Sequence, residues 1–144
     1  MDEFHLKHKD YLMTRTEHAF FKELRTILGQ GYYIFPQIHL GTIIKPSVKW
    51  TYRWRLWRIA FFYSDRYSVD FVICDTQGIK PLLVIELDDV SHLRENRRSR
   101  DRVVEKMLRE ANLPIVRFTS SEAGNIELVD SRIRLSLLTG WSKR

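Results

Sequence analysis

A mixed β-sheet flanked by α-helices is the fold class this sequence predicts, and three observations carry the prediction. Two apolar, β-branched runs, VDFVICD and PLLVIELDD, are joined only by TQGIK, the spacing of a hairpin. An amphipathic stretch from about Ser99 to Ala111 then leads into a third short run, IVRF. Helical patterns precede the first strand and close the chain, so the order reads α, β, a candidate α, β, β, α, β, α.

Each element has a local reason. Thr14 and Glu17 have the spacing of a capping box, opening a helix with Phe20, Phe21, Leu24, Ile27 and Leu28 on one face. Gly29 and Gly31 end it. YYIFPQIHL and GTII read as extended, and Pro36, which cannot donate to a ladder, assigns that segment to an edge or an irregular strand. Trp50, Trp54, Trp57 and Phe61 fall at i, i+4, i+7 and i+11, a helical aromatic stripe among Arg53, Arg55 and Arg58. Such a stripe reads as a core-packing or docking face, with a nucleic-acid stacking platform as the alternative. In the hairpin, Gly78 suits the turn. Val103, Val104, Met107, Leu108 and Ala111 form the buried face of the next helix, which Asn112 and Pro114 end, and Ile126 to Leu138 makes a closing amphipathic helix.

The chain's 144 residues fit one domain, with a core over about 14–120 and a C-terminal helix over about 126–138. Its 44% hydrophobic and 29% charged residues are those of a globular protein. The lone Cys74 rules out an internal disulfide and a cysteine-rich zinc site, which favours a reducing compartment. The charged start MDEFHLKHKD has no apolar signal segment, and no membrane helix is evident, so a cytoplasmic protein with no membrane partner is expected.

Net charge is +6, concentrated in two places. Residues 45–67 hold six basic side chains and one acidic, and residues 93–109 hold seven and three. Basic segments of this kind suit a polyanionic partner, and a solvated face that favours solubility is the other reading.

The chemistry concentrates at VIELDDVSH. Alternation places Asp70 on one face of its strand with Val72 and Cys74, and Glu86 and Asp88 together on theirs, so a hairpin in register would bring three carboxylates to one end of the sheet. Like charges at that range need a cation. A divalent metal with oxygen ligands is one answer, and Mg²⁺ (or Mn²⁺) takes a few carboxylates while keeping waters for a phosphate. Pairing with arginines of the next helix or with Arg117 is the other. His92, four residues after Asp88, is a candidate base, phosphate contact or hydrogen-bond donor near a metal. Glu17 is explained by its capping box, and it also leans toward the buried face.

These residues carry a family resemblance. Asp70 in VDFVI, then IELDDVSH, then RDRVVEKMLREANLPIVRF, resembles a bacterial family of uncharacterised domains related to very-short-patch-repair (Vsr-like) endonucleases, within the PD-(D/E)xK nuclease superfamily. The likeness runs from about Thr16 to Phe118, with Glu17 and the Gln37 of FPQI among its opening elements. It implies a restriction-endonuclease-like α/β fold and Mg²⁺-dependent attack of water on a DNA phosphodiester. Asp70 and Glu86 would hold the metal, with Asp88 beside them where the superfamily usually has lysine. Glu17 would be the helix-borne acid, His92 the histidine after the acidic strand, and Asp101 and Arg117 the RD and lPxxR elements. The absent lysine leaves a proton-transfer role to His92 and a displaced positive charge to Lys22 or Lys106. Arg94, Arg97, Arg98, Arg100 and Arg102 would hold flanking phosphates. A non-catalytic nucleic-acid-binding module is the alternative, as is a docking domain or homodimer formed through the tryptophan stripe.

Overall fold

The computed structural model describes residues 3–46, 66–88 and 95–140, together with 55, 58, 59, 62 and 64, and gives only the backbone for 95–98. The tryptophan stripe, Trp50, Trp54, Trp57 and Phe61, lies outside the described residues, although Arg55, Arg58, Ile59, Phe62, Ser64 and Arg66 around it are helical.

Helix α1, Arg15–Leu28, opens with the expected capping box: the Glu17 backbone N–H donates to Thr14 Oγ1 at 3.2 Å, and the Thr14 N–H donates to Glu17 Oε2 at 2.8 Å. It ends at Gly29, whose φ of 57° an L side chain resists. A short 3₁₀ turn, Gly29–Gly31, leads to β1, Tyr33–His39. The GTII segment, expected to be extended, instead begins within a single helical turn, α2, Leu40–Ile43. Two contacts favour that turn. The Leu40 N–H donates to Tyr67 O at 2.9 Å, and Gly41 passes so near Ser64 that a Cβ would lie 3.3 Å from its carbonyl oxygen.

Strands β2, Ser68–Cys74, and β3, Pro81–Asp88, form the expected hairpin. In its turn, Asp75 Oδ1 accepts from the N–H groups of Gly78 and Lys80, both at 3.0 Å. The left-handed position there falls to Ile79, at φ 57°, and not to Gly78. Helix α3, Glu95–Glu110, starts earlier than its apolar spacing indicated, because its first turn is polar. Asn112, at φ 55°, caps its end in a conformation asparagine tolerates. Strand β4, Ile115–Thr119, a short α4, Ser120–Ala123, and α5, Ile126–Thr139, complete the chain.

The sheet has the order β1-β2-β3-β4, antiparallel for the first two pairings and parallel for β3 with β4. Pro36 lies on β1, an edge, as its missing donor requires. One face packs Phe71, Ile73, Leu83, Ile85 and Phe118 against Phe20, Leu24 and Leu28 of α1 and Val129 and Ile133 of α5. The other packs Val72, Cys74 and Val84 against Leu40, Val104 and Leu108, the last two from α3. Two apolar layers on one sheet are how a chain of this size hides its β-branched strands. No helix among the described residues is long and apolar enough to cross a membrane.

Candidate functional site

Polar residues gather at one end of this sheet, where β1, β3 and β4 finish and β2 begins. In β1 and β2 the pairs Pro36↔Phe71 and Ile38↔Val69 leave Gln37 facing Asp70. In β3 and β4, Glu86 pairs directly with Arg117. The end where several strands finish is where sheets with parallel strands commonly present ligand sites.

Regular alternation stops at this row. Gln37 has φ 53°, and Phe35 and Ile38, three residues apart, lie in the same apolar layer. Val69 and Val72 do the same on β2, so Asp70 does not simply share a face with Val72 and Cys74 as strict parity predicts. The paired residues of β2 and β3 also stop at Phe71↔Ile85. Beyond that pair the Asp70 side chain enters the gap, and its Oδ2 accepts the Leu87 backbone N–H at 2.8 Å. A carboxylate thus takes over a ladder position, which satisfies the amide and fixes Asp70 beside Glu86.

Among the described residues Glu86 is the carboxyl-bearing residue buried in the core, 6% exposed. The Tyr67 hydroxyl donates to its Oε1 at 3.2 Å, and its carboxyl shares a hydrogen bond with Asp70. Two carboxyls can share a bond only if one is protonated. Burial, then the Asp70 charge and that bond, push Glu86 up to about 9, against the lowering pull of Arg117 and Tyr67. Asp70 is raised by burial despite its bond from Leu87, with Glu17 and Asp88 adding like charge. Burial pushes the Tyr67 hydroxyl up as well, ahead of the Glu86 and Asp101 charges, so it remains a donor.

Asp88 does not converge on that pair; it turns to Arg117, whose Nη1 donates to Asp88 Oδ1 at 3.3 Å. The arginine pairing weighed for the acidic strand is therefore realised for Asp88. Among the described residues Glu86 keeps Arg117 only as a neighbouring charge. Helix α3 covers this end. The Arg100 guanidinium lies 5.0 Å from the centre of the Tyr67 ring, and the charge of half-buried Asp101 is felt by both Tyr67 and Arg117. Arg100 and Arg102 are exposed.

Glu17 keeps its capping role and also reaches the site, since its Oε1 accepts from Gln37 Nε2 at 3.3 Å and its charge bears on Asp70. Lys22 and Lys106 are exposed on α1 and α3. His92 and Arg94 lie outside the described residues, as do the side chains of Arg97 and Arg98. Tyr67 has no signal in the sequence; it precedes the strand, where alternation gives no guidance.

Among the described residues no three His, Cys, Asp or Glu side chains are grouped so as to hold a metal ion. Two carboxyls are enough for Mg²⁺, which is commonly bound through one or two carboxylates with waters and substrate phosphate completing its shell. The Asp70 and Glu86 pair fits that demand: hard oxygen donors, Glu86 buried and Asp70 half-buried, with no ion pair to either among the described residues. An open groove of about 480 Å³ lined by Phe21, Arg25, Tyr32 and Thr76 lies at the opposite end of the sheet, away from these groups.

Comparison with known families decides the relationship. Residues 9–137 match the model of DUF2726, described as a protein of unknown function. The chain belongs to the DUF2726 family. This DUF2726 chain is also 26% identical over 131 residues to an uncharacterized protein of Haemophilus influenzae, spanning 88% of its own length and 64% of the relative's. No solved structure matches it.

Proposed function

We propose that this DUF2726 domain is a Mg²⁺-dependent endonuclease of restriction-endonuclease-like fold that hydrolyses DNA phosphodiester bonds. The observation that carries the reading is the carboxyl pair of half-buried Asp70 and buried Glu86, held side by side by the Leu87 N–H and the Tyr67 hydroxyl. The resemblance of VDFVI, IELDDVSH and the following helix to Vsr-like domains supports it, as does a four-stranded mixed sheet with helices on both faces. A carboxyl pair at the end of β3, beneath a helix rich in arginine, suits a phosphate ester better than a neutral substrate.

In the reaction, the oxygen of a water molecule bonds to phosphorus while one P–O ester bond breaks. The products are a phosphate monoester and an alcohol; the water gives up a proton and the leaving oxygen gains one. Mg²⁺, when bound, supplies charge for the phosphate oxygens and acidifies the water. Asp70 and Glu86 would hold it, with the Leu87 N–H and the Tyr67 hydroxyl fixing their orientation. Glu17 and Gln37 border the approach from α1 and β1, and Asp88 stands beside the pair in contact with Arg117. Arg100 and Arg102, with Arg94, Arg97 and Arg98 from the same basic stretch, would carry the flanking phosphates.

A second reading, a nucleic-acid-binding module without catalysis, is favoured by Asp88, which stands where the superfamily usually has lysine and is neutralised by Arg117. Incubating supercoiled plasmid with the purified protein in Mg²⁺ or Mn²⁺, with EDTA and Glu86→Ala as controls, separates the two. Metal-dependent nicking absent from both controls is the expected result. Salt-sensitive binding without nicking supports the second reading.

A further inference from the structure

Resting on the nuclease reading, we propose that Arg117 is the chain's own cation for the scissile phosphate and that Asp88 is a positioning residue that aims it. Arg117 stands opposite Glu86 across the parallel β3–β4 pair, so its guanidinium starts from the row that holds the carboxyl pair. Its backbone is fixed on both sides: the strand pairing holds one, and Arg132 Nη2 donates to its carbonyl oxygen at 2.9 Å on the other. One edge of the guanidinium is occupied, because Nη1 donates to Asp88 at 3.3 Å. The other is not: Nη2 is buried and has no hydrogen-bond partner among the described residues.

A dehydrated guanidinium N–H without an acceptor costs free energy, and a bound oxyanion is a partner that removes this cost. The acidic groups that surround Arg117 are Asp88, Asp101, Glu86 and Tyr67. Asp88 is already bonded through Nη1, and the Glu86 carboxyl is engaged by Tyr67 and Asp70. A phosphate oxygen brought to the carboxyl pair is the acceptor this fork lacks, and planar bidentate recognition of oxyanions is what arginine does best. The Arg117 side chain is 24% exposed and that of Asp88 46%, so the ion pair stands at the solvent edge of the carboxyl row. Once Glu86 gives up its proton, the strand carboxylates Asp70, Glu86 and Asp88 exceed the one guanidinium by two charges, the charge of one divalent cation.

The experiment compares wild type, Arg117→Met, Arg117→Lys and Asp88→Asn of the full chain in single-turnover cleavage of labelled duplex DNA, with Mn²⁺ affinity and thermal midpoints measured alongside. Arg117→Met is expected to lose about 100-fold or more in rate, the size of losing one transition-state donor, while keeping its Mn²⁺ affinity. Arg117→Lys recovers roughly tenfold of that loss, and Asp88→Asn stays within about tenfold of wild type. Equal losses in Arg117→Met and Asp88→Asn would mark a merely structural ion pair and overturn the assignment, as would an Arg117→Met rate near that of wild type. If Arg117→Met does not fold, Arg117→Lys decides, since it keeps the charge and loses the fork: a rate near that of wild type overturns the proposal. Absence of cleavage by wild type overturns the nuclease reading itself, and this inference with it.

Discussion

Glu86 hydrogen-bonds to Asp70 in the gap where β2 and β3 part, with the Asp70 carboxylate also holding the Leu87 N–H at 2.8 Å. A proton shared between two carboxyls has a direct consequence for stability. The folded state holds Glu86 protonated up to about 9, whereas the unfolded chain releases that proton in the ordinary carboxylic range. Between those limits the folded state binds more protons, so without metal the contribution of Glu86 falls as pH rises. Glu86→Gln keeps a neutral group that can still donate to Asp70. In EDTA it should melt at or above wild type at pH 8 and lack this downward slope, as a calorimetric series from pH 5 to 9 would show; parallel curves would contradict the shared proton.

A cation that replaces the proton must expel it. Mn²⁺ or Mg²⁺ binding near neutral pH should release about one proton. Titration calorimetry in buffers of different ionisation enthalpy measures this number. In Asp70→Asn both the binding heat and the release should vanish.

Tyr67 steadies the pair from beneath α3. Tyr67→Phe keeps the ring against Arg100 but removes the donor to Glu86 Oε1, and should cost about 1 kcal/mol in urea unfolding. No loss would mean that the bond is dispensable.

Away from the site, the core prediction is simple. Phe20 lies 5.8 Å from Phe71 and 5.6 Å from Phe118, ring centre to ring centre, tying α1 to the middle of the sheet. Phe20→Ala should cost roughly 3–5 kcal/mol by denaturant titration.

The exposed arginines of α3 should act on binding alone. Replacing Arg100 and Arg102 by alanine should weaken DNA association and reduce its logarithmic salt slope by about one for each phosphate no longer neutralised. Fluorescence anisotropy at several salt concentrations reads that slope.

Much of this arrangement is legible in the sequence because it rests on local chemistry. Thr14 and Glu17 mark a helix start by their spacing, Pro36 marks an edge by its missing donor, and the apolar runs reveal three strands of the sheet. Strand parity brings Asp70 near Glu86 but assumes unbroken alternation. It is silent about the left-handed Gln37, about the parting of β2 from β3, and about an aspartate side chain taking a backbone acceptor's place. Tyr67 and the turn at Leu40 depend on each other across a sequence gap that no local pattern spans. Whether Asp88 would face a metal or Arg117 was open from spacing, and the parallel pairing of β3 with β4 puts the arginine within reach.

On the proposed reading, the Asp70 and Glu86 pair holds the metal for hydrolysis of DNA. The most direct test is single-turnover cleavage of an end-labelled duplex by wild type and Asp70→Asn in Mg²⁺, with DNA affinity measured separately in Ca²⁺. The expected result is cleavage by wild type, none by Asp70→Asn, and similar affinity for both. Undiminished cleavage by Asp70→Asn, or an inert wild type that binds DNA firmly, would contradict it.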